Sequence, residues 1–316
     1  MLAQSTRKRL RYAYAEKTWN SYKRMFLTLL TFCAYIEIDV TELQVHHVTM
    51  FMEYLNQNGQ SVGSIRNFIA GIVSYSKWVF LCTEIFSHHR VSLMFKALTK
   101  SIPKKPRLPV VFQTNHIFGI LRECEKFPYA QIYRTLYIFA NLGFLRISNC
   151  VPTSKNNFSV IKHLCRGDVL LRPDSVLLVL KWSKTLQSLQ QGTYLVLPKL
   201  KNALICPWHN FMELCRLFPV AKNCSCFASQ FFMVTESNLR KHLAKVLRNL
   251  GLDAKQYSFH TFRRSGATLA YNLDIPMDEI KRHGTWRSDA VQSYIISDPH
   301  RASGVAQSLR KFFDHM

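Results

Sequence analysis

Residues 258–272 read SFHTFRRSGATLAYN, in a part of the chain patterned as helix, so His260 and Arg263, three positions apart, share one face. A neutral imidazole moves a proton, and a guanidinium grips a phosphate through a bidentate fork. An isolated His-x-x-Arg also fits a solvated or DNA-facing basic helix start, so the segments around it have to discriminate. Shortly downstream, residues 282–295 read RHGTWRSDAVQSYI. Ser288 is placed to cap a short helix that carries Tyr294 about two turns in, eight residues after Trp286.

Further outward, the whole chain is built for a polyanionic partner. Its 316 residues hold 42 Lys plus Arg against 19 Asp plus Glu, a formal net charge of +23. Apolar residues make up 48% of the chain, too much burial potential for a disordered basic tail, and the length suggests about two domains. Apolar positions recur at helical spacing from Tyr14 to about Leu98. The stretch KSIPKKPRLP, residues 100–109, then interrupts helix with three prolines and carries four basic residues, Lys104, Lys105 and Arg107 among them. The expected organisation is a helical domain over 1–99, a basic linker over 100–109 and a second domain over 110–316. Within the second, helical pattern runs from Asn115 to about Leu142. Three short apolar runs, Val169 to Arg172, Val176 to Trp182 and Tyr194 to Leu197, suggest a small sheet with a polar loop at Lys184 to Thr193. Helices resume at Trp208 and over Thr235 to Leu250, where Gly251 is a C-cap. The fold class is therefore mainly α with a small β-sheet.

Several chemistries lack their residues. There is no GxxxxGK[ST] phosphate loop and no GxGxxG turn, and the 19 acidic residues are too scattered for a carboxylate-held metal pair. The nine cysteines read as reduced thiols, and the tightest cluster, Cys206, His209, Cys215, Cys224 and Cys226, has no common zinc spacing. Neither a secretory signal nor a membrane anchor is visible, so the expected setting is intracellular, and nuclear if the source is eukaryotic. Metal-free phosphate chemistry is the class the inventory favours: cations for the developing charge, a side-chain nucleophile and a proton-transfer group.

With these residues in place, the sequence resembles the tyrosine recombinase (phage integrase) family. Arg146 in NLGFLRIS, residues 141–148, matches the family's first active-site arginine, and Lys184 in LKWSKTLQ, residues 180–187, its β-hairpin lysine. His260 and Arg263 match the HxxR pair, Trp286 the His-or-Trp position and Tyr294 the nucleophile. The six matches keep the family's order over about 150 residues. The helical block before the linker looks like the family's core-binding domain, and the second domain like its α+β catalytic domain. The phrase GTWRSDAVQSYI is closest to recombinases of eukaryotic mobile elements, such as the Crypton type.

The resemblance implies site-specific cleavage and rejoining of double-stranded DNA through a 3′-phosphotyrosine, without metal, ATP or other cofactor, by four protomers on two duplexes. A tyrosine hydroxyl, with a reference pKa near 10, needs a proton acceptor and a polarised phosphate. His260 takes the first role. Arg146, Arg263 and the Trp286 indole N–H take the second, and Lys184 protonates the leaving 5′ oxygen. Two departures stand out. Asn149 replaces the family's usual acidic residue, so a partner orienting Arg146 is expected to be missing. His283 stands where leucine is usual, either as an exposed side chain or as a DNA contact. The first departure keeps open a second reading, a catalytically inactive domesticated recombinase acting as a DNA-binding regulator; an RNA-binding module lacks any RNP-like or GXXG signal. DNA binding also follows from the residues alone: Arg240 with Lys241, Lys245 and Arg248 lie on one helix, the last three on one face. The linker cations and Arg7, Lys8 and Arg9 extend this charge, so two basic domains clamped about a duplex are expected.

Overall fold

A computed structural model describes residues 5–6, 9–10, 13–79, 81–101, 110–182 and 193–296. The chain divides into two compact units, Met1–Arg107 and Leu108–Met316. The division falls within the stretch that the sequence reads as a linker, whose Lys104, Lys105 and Arg107 lie outside the described residues together with Arg7, Lys8 and Lys184.

The first unit is a bundle of α1 (Glu16–Tyr35), α2 (Val45–Gln57), α3 (Val62–Trp78) and α4 (His89–Ser101). Each helix turns one apolar stripe inward. Leu29, Val48, Phe51, Met52, Ile65 and Ile72 form a core that is essentially inaccessible to water. Ser61 starts α3 by accepting a hydrogen bond from the Ser64 amide at 3.2 Å, which satisfies one of the free donors of the first turn.

The second unit is built around α6 (Ala130–Leu142), which is buried nearly all round and packs against α8 (Pro207–Leu217) and α10 (Phe259–Asn272). Before it comes α5 (Thr114–Glu123). The helical pattern read from Asn115 to about Leu142 is divided between these two helices. Pro128 lacks the amide that a continuing helix needs, and Tyr129 takes a left-handed φ of 59°, so the chain turns and restarts. The sheet is a three-stranded antiparallel meander of β1 (Val169–Leu171), β2 (Ser175–Leu180) and β3 (Thr193–Pro198). Its register pairs Leu178 with Val169 and Leu195, all three buried, so the inward face of each strand lands on the same core.

After the sheet, α9 (Glu236–Asn249) buries Leu239, Leu243, Val246 and Leu247 and ends at Gly251, whose φ of +72° takes the left-handed cap the sequence predicts. Helix α10 then crosses α6 closely at Gly266. An added Cβ there would lie 2.1 Å from the Asn141 carbonyl oxygen and 2.5 Å from the Phe144 ring. That crossing brings the start of α10 beside the end of α6. The short helices α7 (Ile147–Cys150) and α11 (Met277–His283) complete the surroundings. No helix among the described residues is long and apolar enough to cross a membrane.

Candidate functional site

Arg146 is the residue before α7, in extended conformation (ψ 147°), so its side chain leaves from the loop that follows α6. His260 and Arg263 are the second and fifth residues of α10, on one face as their spacing predicts. Arg263 is no solvated cation: it is 1% exposed, its guanidinium donating to the Phe144 carbonyl and, at 2.7 Å, to the Gly284 carbonyl. The Trp286 ring lies 3.7 Å from the centre of that guanidinium and the Tyr294 ring 5.6 Å. Tyr294 meets His260 edge-on with ring centres 4.8 Å apart, and Trp286 at 5.1 Å. The structure thus brings together Arg146, His260, Arg263, Trp286 and Tyr294.

The local backbone differs from the sequence expectation at Tyr294. Ser288 does cap, its hydroxyl accepting from the Ala290 amide at 3.4 Å, but the element is a 3-10 helix, Asp289–Ser293, and Tyr294 follows it as the C-cap residue. Five residues in 3-10 form give less than two turns, and three-residue periodicity aims Tyr294 back toward α10. Two anchors hold this segment. Lys281 in α11 pairs with Asp289 at 2.6 Å, and the Thr268 hydroxyl donates to the Tyr294 carbonyl at 3.3 Å while accepting from the Ile296 amide at 3.2 Å.

The site is crowded with positive charge. Burial lowers the affinity of His260 for a proton, and the charges of Arg263, Arg264 and Arg146 lower it further, bringing its pKa down to about 4. Its imidazole is therefore neutral near pH 7. Burial, then the field of Arg146, pushes Arg263 below the usual arginine range, and burial does the same to Arg146. Among the described residues no carboxylate pairs with either arginine, and the acidic side chain that faces both is the Tyr294 phenol. The Trp286 indole nitrogen is buried without an acceptor among the described residues. A cleft of about 290 Å³ runs from His260 past Ile147 to Arg240 on α9.

Two expectations need correction. His283 is not an exposed side chain. It is half-buried, stands edge-on to Phe144 at 4.6 Å and donates through Nε2 to the Leu142 carbonyl at 2.8 Å, tying α11 to the end of α6. Arg146 is not without a partner either: it donates to the Thr285 hydroxyl at 3.1 Å. Asn149, 4% exposed, instead donates its amide to the Trp182 carbonyl at 2.7 Å and so fixes the chain just beyond β2, two residues before Lys184. Sequence reasoning passed over Thr285, Gly284 and Thr268; the Gly-Thr pair between two quoted motif residues was the one available signal.

Arg240, Lys241, Lys245 and Arg248 are all exposed on α9, opposite its buried leucines. The cysteine cluster dissolves into ordinary packing, with the Cys206 sulfur accepting from the Leu200 amide at 3.2 Å and Cys215 from Arg166 at 3.4 Å. Among the described residues no group of three or more His, Cys, Asp or Glu is placed to hold a metal ion.

No protein-family model matches this chain, and no curated protein matches it in sequence. Solved structures do match. XerH site-specific recombinase bound to palindromic difH substrate, in a post-cleavage complex, superposes with a TM-score of 0.61 at 15% identity over 92% of this chain and 78% of that one. Tn1549 transposon integrase in complex with circular intermediate DNA gives 0.60 at 11% identity over 96% and 97%. A lambda integrase dimer bound to a core site gives 0.58 at 12% identity over 92% and 75%. These neighbours are tyrosine recombinases, and the helical frame with its small antiparallel sheet described above is the tyrosine recombinase fold.

Proposed function

We propose that this chain is a site-specific DNA recombinase that cleaves and rejoins duplex DNA through a 3′-phosphotyrosine, with Tyr294 as nucleophile. The observation that carries the reading is the convergence of Tyr294 with a neutral histidine and two arginines that have no carboxylate partner among the described residues. A scissile phosphate supplies the missing negative charge. Arg146 and Arg263 bind its non-bridging oxygens, and the Trp286 N–H, which has no acceptor among the described residues, donates to it. The phosphate anion also offsets the positive field on His260, raising its proton affinity toward the range in which an imidazole accepts a proton from an attacking hydroxyl.

The Tyr294 oxygen then bonds to phosphorus, its proton passes to His260, and the bond to the 5′ oxygen breaks, Lys184 protonating the leaving oxygen. One phosphate ester replaces another, so rejoining needs neither ATP nor metal. The exposed cations of α9, Arg240, Lys241, Lys245 and Arg248, with the linker residues Lys104, Lys105 and Arg107, serve as backbone contacts to the duplex. The unit over 1–99 serves as the core-binding domain, the unit over 110–316 as the catalytic one, and four protomers assemble on two duplexes.

Asn149 supports a second reading, a non-catalytic DNA-binding protein on this scaffold, because among the described residues no carboxylate orients Arg146. A nicked duplex, which lets the free 5′ strand depart and traps the intermediate, separates the two. The enzyme leaves a covalent protein–DNA adduct that Tyr294→Phe abolishes with DNA affinity nearly unchanged; the binding protein binds and leaves none.

A further inference from the structure

We infer that Thr285 is a positioning residue for the strand-transfer reaction, holding Arg146 in the orientation that binds the scissile phosphate. This role rests on the function proposed above and adds a residue to it.

Three observations carry it. The Arg146 guanidinium donates to the Thr285 hydroxyl at 3.1 Å, while Asn149, which stands where the resemblance places an acidic partner for that arginine, is committed to the Trp182 carbonyl. Thr285 sits at a φ of 56°, in the left-handed region, where a β-branched residue meets steric conflict that glycine escapes. Strain of this kind persists where surrounding contacts over-determine the backbone, and it concentrates at functional sites. Those contacts are present: the Thr285 amide donates to the Arg282 carbonyl at 3.1 Å and the Trp286 amide to the Lys281 carbonyl at 2.9 Å.

The turn is also where both site arginines are fixed. Its Gly284 carbonyl accepts from Arg263 at 2.7 Å, and Gly284 has no room for a side chain, since an added Cβ would lie 1.6 Å from the Trp286 ring. Arg263, Trp286 and Arg146 are therefore all met by two consecutive residues, Gly284 and Thr285. Thr285 supplies the only one of these contacts made by a side-chain hydroxyl. A hydroxyl suits the task because it accepts from Arg146 without neutralising it, leaving the full guanidinium charge for the phosphate. A carboxylate in the same place would pair with that charge.

The test compares rates of adduct formation on a nicked duplex for three variants. Thr285→Val keeps the branched shape without the hydroxyl, Thr285→Ser keeps the hydroxyl without the branch, and Thr285→Gly removes both while freeing φ. Val and Gly are expected to slow adduct formation about 10- to 100-fold, the order for a misplaced binding group, and Ser to stay close to wild type. DNA affinity stays near wild type in all three, and the thermal midpoint of the Gly variant does not fall.

A second substrate separates positioning from a merely structural effect. A methylphosphonate at the scissile position removes one anionic oxygen, so the orientation of Arg146 matters less, and the deficits of Val and Gly are expected to shrink on it. Wild-type rates for Val, equal losses for Val and Ser, or the same deficit on both substrates each overturn the role of Thr285 alone. A wild-type chain that forms no adduct on any nicked duplex overturns the strand-transfer function and this role with it.

Discussion

Helices α9 and α10 are both fourteen residues long and both carry cations, yet they use them in opposite ways. Helix α9 holds Arg240, Lys241, Lys245 and Arg248 in solvent and buries its leucines, so its charges keep their hydration and act at a distance. Helix α10 buries Arg263 at 1% exposure beside a half-buried, neutral His260, so the Arg263 charge loses its hydration and acts on whatever anion replaces it. The first arrangement suits gathering DNA of any sequence; the second suits one phosphate. Identical residue types therefore differ in job through burial, a property of the fold around them.

That contrast is broken most strongly by salt. If the exposed charges set affinity, duplex binding by the wild-type chain falls by about 10³-fold or more between 50 and 200 mM salt, provided roughly six or more phosphates are contacted. Fluorescence anisotropy across a salt series measures it, and a flat response refutes the assignment of α9. The next effect belongs to α10. Arg263→Ala lowers the rate of adduct formation by at least about 10²-fold. It also destabilises the fold by about 3 kcal/mol, because the carbonyls of Phe144 and Gly284 lose their buried donor. Denaturant melts and single-turnover assays should show both losses together.

On α9 the two losses come apart. Replacing Lys241, Lys245 and Arg248 with glutamine weakens binding to all sequences alike and lowers the salt slope by up to about three units. Stability changes by no more than about 0.5 kcal/mol. A loss of stability comparable with that of Arg263→Ala would erase the distinction between the helices.

How much of this was legible in the sequence follows the same divide. Helix α9 could be read because its pattern is local: leucines at helical spacing, cations between them, Thr235 before and Gly251 after. The meander could be read from the apolar alternation of β2 and β3. In the site, the five motif residues that the structure describes converge, since their order along the chain reflects a constellation built by several elements. What the sequence concealed depends on contacts distant in the chain. The Arg146 partner, Thr285, lies 139 positions away. His283 looked like a surface residue because nothing near it in sequence reveals the Leu142 carbonyl, 141 positions away, that it meets. The restart at Tyr129 was missed because Pro128 is one residue inside a strongly apolar pattern.

A smaller effect tests the buried side of α9. His242 stacks on Tyr133 at 3.6 Å and hydrogen-bonds the Tyr137 hydroxyl at 2.8 Å, and burial, aided by Lys245, brings its pKa down to about 4. The folded form thus binds a proton less readily than the unfolded chain, whose histidines titrate near 6.5. Stability from this residue is complete above pH 6.5 and falls as the pH drops toward 4, by up to about 3 kcal/mol. His242→Phe should flatten that part of a stability profile measured by urea melts. The smallest effect concerns the brace of the tyrosine segment. Lys281→Ala breaks the pair with Asp289 and is expected to slow adduct formation only about three- to tenfold, since Thr268 still holds the Tyr294 backbone.

The central claim, that Tyr294 attacks the phosphate, is tested most directly by locating the bond. Wild-type protein is incubated with a nicked duplex in a chelator, the adduct is digested with trypsin, and the nucleotide-bearing peptide is sequenced by mass spectrometry. The account predicts a single modified residue, Tyr294, and unchanged yield in the chelator. A nucleotide attached to any other residue, a yield that collapses when metal is removed, or tight binding with no covalent product would contradict it.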